Sequence, residues 1–185
     1  MRFTKVAVLV AALGALSLVG TASASADSTS CQTAGTIKLS PGLTTEAKVQ
    51  NVSLKGTLSE CASTESEVTE GKYVAHFKTA EPISCANLVS GGVGAAAEEN
   101  KIVLKLKPKG GGNPSGPISV DIQEGTAQSL SGSITSEGTA FFEDLIEGSI
   151  TQTYTGGETC GVVPLGKKKA KKVNKGSYSG TLSIS

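Results

Sequence analysis

Apolar and polar side chains alternate with a period of two at regular intervals along this chain, and no other feature constrains the fold as strongly. Ile102, Leu104 and Leu106 alternate with Lys101, Lys105 and Lys107. Ile118, Val120 and Ile122 alternate with Ser119, Asp121 and Gln123. The same holds for Val52, Leu54, Gly56 and Leu58, and for Tyr178, Gly180, Leu182 and Ile184. Successive side chains of a strand point to opposite faces, so each run predicts a strand with one buried and one wet face. Weaker candidates at 35–40, 72–79, 129–136 and 149–155 bring the total to about eight. Helical periodicity is nearly missing, since 85–89 and 94–100 offer one turn each. The expected fold is therefore all-β: an antiparallel β-sandwich, immunoglobulin-like or a related Greek key, with a closed barrel as the alternative.

The first residues stand apart from this pattern. Arg2 and Lys5 precede a stretch from Val6 to Val19 without charge, and Ala24-Ser25-Ala26 forms a small-x-small cleavage signature. That is the composition of a secretory signal, and its apolar centre falls short of the ~20 residues of a membrane span. Residues 1–26 are thus expected to be a signal peptide cleaved after Ala26, and 27–185 a single β-sandwich domain that is secreted. Cleavage removes two positive charges, including the only Arg, from a formal net charge of +1. A near-neutral exported domain is a poor fit to a cytosolic enzyme, a transmembrane protein or a globally basic nucleic-acid binder.

Four cysteines, Cys31, Cys61, Cys85 and Cys160, all follow the leader. An even number in an exported chain implies two disulfides, with three possible pairings. No spacing resembles a CxxC metal or redox motif, so no metal is expected. Parity helps to choose among the pairings. A first hairpin turning around Pro41-Gly42-Leu43, with Leu39 opposite Val52 and Ile37 opposite Leu54, leaves Cys31 one position short of Cys61. A small bulge would close that gap, which favours Cys31–Cys61 and leaves Cys85–Cys160. A second hairpin, with Leu106 opposite Ile118, Leu104 opposite Val120 and Ile102 opposite Ile122, would present one wholly apolar face.

Several short segments follow one another along the chain: Cys31, Gly35-Thr36-Ile37, Pro41-Gly42-Leu43-Thr44, Gly56-Thr57-Leu58 and Cys61, then Ser84-Cys85, the stretch 142–148, Cys160, and Gly176-x-Tyr178-x-Gly180-x-Leu182. In these the chain resembles a broad group of uncharacterised exported β-sandwich proteins of actinobacteria. The resemblance spans most of residues 27–185 and implies fold and export alone, because that group has no established activity or catalytic residues.

Chemistry is sparse. His76 is the only histidine, and alternation in 73–79 places it on the wet face beside Lys78; no Gly-x-Ser-x-Gly elbow accompanies it. Gly161 to Lys167 approaches a phosphate-binding loop, but Lys168 stands where a Ser or Thr would hold Mg²⁺, and no strand-then-helix pattern surrounds it. Asn51-Val52-Ser53 fits a glycosylation acceptor but falls within a strand. No cofactor is implied. The segment Phe141, Phe142, Glu143, Asp144, then Leu145, Ile146 and Glu147, is a candidate ligand loop. Its acids could serve a glycosidase-like reaction; in the blander alternative its apolar residues plug one end of the domain and its acids stay wet.

The strongest local feature is cationic. Lys167, Lys168, Lys169, Lys171, Lys172 and Lys175 put six positive charges into nine residues. Such a run could attract anionic cell-envelope or surface polymers, weakly and with strong salt dependence, because no Arg is present for bidentate recognition. The plain alternative is a solvated loop before the last strand. The leading expectation is a secreted non-enzymatic protein that binds anionic envelope polymers through this loop. The alternatives are an extracellular hydrolase using the 141–147 carboxylates, and a structural surface component that self-associates through sheet edges.

Overall fold

The computed structural model describes residues 28–64, 68–87, 100–107, 113–122, 127–167 and 169–185. The expected signal peptide, Lys168, the acidic positions 65 and 67, the triple glycine at 110–112, positions 88 and 89 of one candidate helical turn and 94–99 of the other lie outside these residues. Nine strands are described: β1 (Thr29–Leu43), β2 (Asn51–Ser63), β3 (Glu70–Lys78), β4 (Lys101–Lys107), β5 (Ser115–Gly116), β6 (Ile118–Ile122), β7 (Ala127–Ser133), β8 (Leu145–Tyr154) and β9 (Val173–Ile184).

All nine belong to one antiparallel sheet, in the order β5-β4-β3-β2-β1-β9-β8-β7-β6. Chain neighbours are sheet neighbours except β5 and β6, which stand at the two ends of the order, and β9 returns to pair with β1. The all-β, antiparallel expectation holds. Its two-sheet, Greek-key form is replaced by a single meander that curls into a nearly closed barrel. The two terminal strands of the sheet, β5 and β6, are halves of one extended run interrupted at Pro117, which lacks a backbone N–H. Ser115 pairs with Val103 on β4, while its carbonyl accepts the backbone N–H groups of Thr135 and Ser136 at 2.9 and 3.1 Å beyond the end of β7. The seam thus closes through the 114–122 run, whose first part meets β4 and whose second part pairs with β7.

Strand stagger explains why the second expected hairpin is not formed. From Thr33 the ladder runs one way through Leu58, Gly71 and Leu106, and the other way through Gly180, Ile150 and Gln128 to Ile122. The two routes disagree along the 115–122 run by about ten residues, the shear by which tilted strands close a barrel. β4 therefore meets Ser115 and Gly116, while Ile118 and Val120 pair with Gly132 and Leu130. Ile118 and Val120 still face inward, as their parity requires.

The first hairpin matches its expected register, with Leu39 opposite Val52 and Ile37 opposite Leu54. Its strand does not turn at 41–43, however. β1 leaves β2 after Ser40, continues to Leu43, and meets Val173 of β9 there. The register slips between Ser30 and Gln32, where Glu60 adopts a left-handed φ of 50°. That extra residue brings Cys61 to Cys31, and the two are bonded, as are Cys85 and Cys160.

The core is the lumen of this barrel. Ile37, Leu54, Leu58, Leu104, Ile150 and Leu182 are among its fully buried side chains. Phe141, from the β7–β8 connection, also turns into it.

Candidate functional site

The lysine run lies in the 155–172 connection between β8 and β9. A short 3-10 turn, Gly157–Thr159, leads into Cys160, whose disulfide to Cys85 ties this connection to the one following β3. The next residue, Gly161, has φ 77°, and a side chain there would come within 2.6 Å of Thr45 Cγ2. Gly161 N–H donates to the Lys171 carbonyl at 2.9 Å, and Lys171 N–H to the Val162 carbonyl at 2.8 Å. These two bonds form the neck of a narrow finger. Its tip is the turn Pro164-Leu165-Gly166-Lys167, closed by Lys167 N–H donating to the Pro164 carbonyl at 2.9 Å, with Gly166 at φ 76°. A proline-initiated turn with positive φ at its third residue is the type II form, for which glycine is suited at that position.

The finger carries two kinds of exposed side chain. Lys167, Lys169, Lys171, Lys172 and, at the start of β9, Lys175 are exposed. Lys175 sits directly opposite Lys38 of β1, also exposed. Like charges facing each other across a ladder oppose pairing, so Lys38 extends the cationic patch at some cost to the sheet. Among the described residues the two ion pairs, Lys48–Glu46 and Lys107–Glu70, use none of these lysines. No Asp or Glu occurs after Glu158. Beside the lysines, Val162, Val163 and Leu165 are 52%, 56% and 105% exposed. Lys38 was hidden from sequence reasoning by distance along the chain. The apolar tip was visible as Val-Val-Pro-Leu but is absorbed there into a phosphate-loop likeness. No strand-to-helix turn surrounds it here.

The lumen holds a second polar group. Tyr73, Gly56, Gly35, Tyr178 and Gln152 form one row across β3, β2, β1, β9 and β8. The two glycines leave room for Tyr178 to lie along the wall: a side chain at either would overlap its hydroxyl. Thr33 Oγ1 donates to the Tyr73 hydroxyl at 3.0 Å. The Tyr178 hydroxyl lies in the field of Tyr73 and near Thr33, yet among the described residues no partner reaches it in hydrogen-bond geometry. The Tyr154 hydroxyl donates to Gln152 Oε1, while Gln152 Nε2 and Gln128 Oε1 are buried without partners among the described residues. Burial pushes the phenols of Tyr73, Tyr154 and Tyr178 above their ordinary pKa of 10.0, and the Tyr73 field adds to the effect at Tyr178. These phenols stay neutral, and the hydrogen bonds they make among the described residues, from Thr33 to Tyr73 and from Tyr154 to Gln152, involve no ionised partner.

The 141–147 candidates divide. Phe141 is buried, Phe142 is 41% exposed, and Glu143 is exposed at a positive φ of 71°. Ile134 N–H donates to the Asp144 carbonyl and Glu143 N–H to the Ile134 carbonyl, which pins the connection to the end of β7. Glu147 is not in the loop but on β8, outward-facing beside the inward Ile146. It alone of the three acids lines a shallow outer groove of about 360 Å³ with Ser129, Ser131, Ser149 and Ser183.

His76 is exposed on β3, paired with Ser53 and Lys101. Among the described residues no group of three His, Cys, Asp or Glu could hold a metal ion, and no helix is long and apolar enough to cross a membrane. Comparison with known protein families, with curated proteins and with solved structures finds no match to the chain.

Proposed function

We propose that this is an exported, non-enzymatic barrel protein that binds anionic polymers of the cell envelope through the 161–175 finger and Lys38. The carrying observation is the unpaired cationic surface: five exposed lysines of the run and a sixth from β1, none in an ion pair among the described residues. Their mutual repulsion is relieved by a polyanion, whose binding would be screened by salt. The leader-like start of the sequence and two disulfides support export to an oxidising compartment. Against the hydrolase alternative stands the outer groove, which has one carboxylate where glycoside hydrolysis needs two.

The test is retention of the purified protein on an insoluble cell-envelope fraction at low and at moderate salt. Replacing Lys167, Lys169, Lys171, Lys172 and Lys175 by Gln should abolish retention at low salt without lowering the temperature of thermal unfolding, since it also removes the repulsion between Lys175 and Lys38. Equal retention of the variant and the parent would overturn the proposal.

A further inference from the structure

Charge alone accounts for the lysines but not for the side chains between them and the neck. Leu165 is fully exposed at the apex of a turn that is closed by its own hydrogen bond, and Val162 and Val163 are more than half exposed just behind it. A solvated loop gains nothing from three large apolar groups, and a soluble polyanion offers them no apolar surface to enter. The finger is also held in shape. Its base is fixed by the Cys85–Cys160 disulfide and by Gly161 against Thr45, its neck by two backbone bonds, and its tip by the type II turn. The apolar residues occupy the outgoing limb and apex, and Lys167, Lys169, Lys171 and Lys172 follow on the returning limb.

An apolar apex collared by lysines matches the chemistry of one surface, an anionic lipid bilayer. There the aliphatic groups enter the acyl boundary while the ammonium groups stay at the level of the phosphates. We propose that the 161–172 finger is a membrane-docking element, with Leu165 and Val163 inserting and the lysines selecting anionic headgroups. This rests on the anion-binding role of the same lysines and adds the apolar tip as the part that distinguishes a bilayer from a polymer. The cationic side chains of Lys38 and Lys175 lie further along the sheet, at the foot of the finger, where they widen the attractive field.

The chain has no Trp, so Leu165→Trp installs a unique reporter at the apex. The protein is taken from the medium of an exporting host, with removal of the leader checked by mass. It is then mixed with vesicles of equal parts phosphatidylglycerol and phosphatidylcholine, or of phosphatidylcholine alone. The expected result is a blue shift of emission with the anionic vesicles only. In sedimentation with the same vesicles, Leu165→Ser with Val163→Ser should weaken binding by about tenfold or more, while retention on a polyphosphate resin stays as in the parent. Replacing the four finger lysines by Gln should abolish both. Unshifted emission, or vesicle binding unaffected by the Leu165 and Val163 substitutions, would overturn the inference even if the resin still retains the protein. Loss of resin retention by the parent itself would instead remove the anion-binding role on which it rests.

Discussion

At the scale of single residues, the most exacting positions are the two glycines beneath Tyr178. Gly35 and Gly56 face each other on β1 and β2, and the Tyr178 hydroxyl occupies space their side chains would fill. A methyl at Gly56 would overlap the Tyr178 hydroxyl and come within 2.7 Å of Tyr73 Cε1. Gly56→Ala should therefore cost about 1–3 kcal/mol by overpacking. Because the first obstruction is the hydroxyl, the cost should shrink in a Tyr178→Phe background. A double-mutant cycle by urea denaturation measures this; additive costs would show that the ring of Tyr73, not the hydroxyl, is the obstacle. Tyr178→Phe alone should be neutral or mildly stabilising, since it removes a buried hydroxyl that has no hydrogen bond among the described residues.

The three buried phenols also set the alkaline behaviour. Each has a folded pKa above the unfolded 10.0, so the folded chain keeps protons that the unfolded chain has already lost. Their contribution is complete below pH 10.0 and declines as pH rises past it. Urea midpoints without reductant should hold steady up to that point and then fall, with a shallower fall for Tyr178→Phe. A midpoint that rises through the same window would contradict the buried, neutral state of these groups.

Among the elements, the strands and the local β1–β2 pairing are legible in the sequence, and the partner of β4 is not. Alternation in 52–58, 102–106, 118–120 and 178–184 reports which side chains are buried, because the lumen imposes it residue by residue. It even located the Cys31–Cys61 pair, since a local hairpin fixes register through its own parity. It misplaced the partner of β4, because barrel shear is a property of all the strands together and moves a register by an even number without disturbing parity. The sequence likewise leaves Glu147 in the loop, because its alternation with Ile146 is hidden beneath the apolar cluster, whereas the structure has it on β8. The two disulfides act on different elements: Cys31–Cys61 joins adjacent strands, while Cys85–Cys160 joins two connections 75 residues apart. Loop-closure entropy grows only with the logarithm of length, so removing either pair should cost a similar amount, roughly 3.5 and 4.5 kcal/mol respectively. Replacing Cys85 and Cys160 by Ser should in addition weaken anion binding, because it frees the base of the finger. The same change at Cys31 and Cys61 should leave binding intact at temperatures where the variant is folded. Calorimetry combined with resin retention separates these outcomes, and equal loss of binding in both variants would argue against a finger held by its base.

For the whole molecule, closure is what turns a near-neutral chain into a polarised one. The meander brings β9 back to β1 and sets Lys175 against Lys38, while the connection between β8 and β9 presents Lys167, Lys169, Lys171 and Lys172 as exposed side chains. The sequence showed the density of charge in 167–175 but not Lys38, which lies more than a hundred residues away in the chain and next door in the sheet. The acids meanwhile are dispersed: Glu70 pairs with Lys107, Glu46 with Lys48, and Glu147 faces an outer groove. The direct measurement of this cationic site is the salt dependence of binding to soluble polyphosphate, followed by titration at several ionic strengths. Affinity should fall steeply and linearly on a log–log scale as salt rises, and each Lys→Gln substitution at 38, 167, 169, 171, 172 or 175 should flatten the slope by up to about one unit. A slope that stays the same when these lysines are removed would contradict the account.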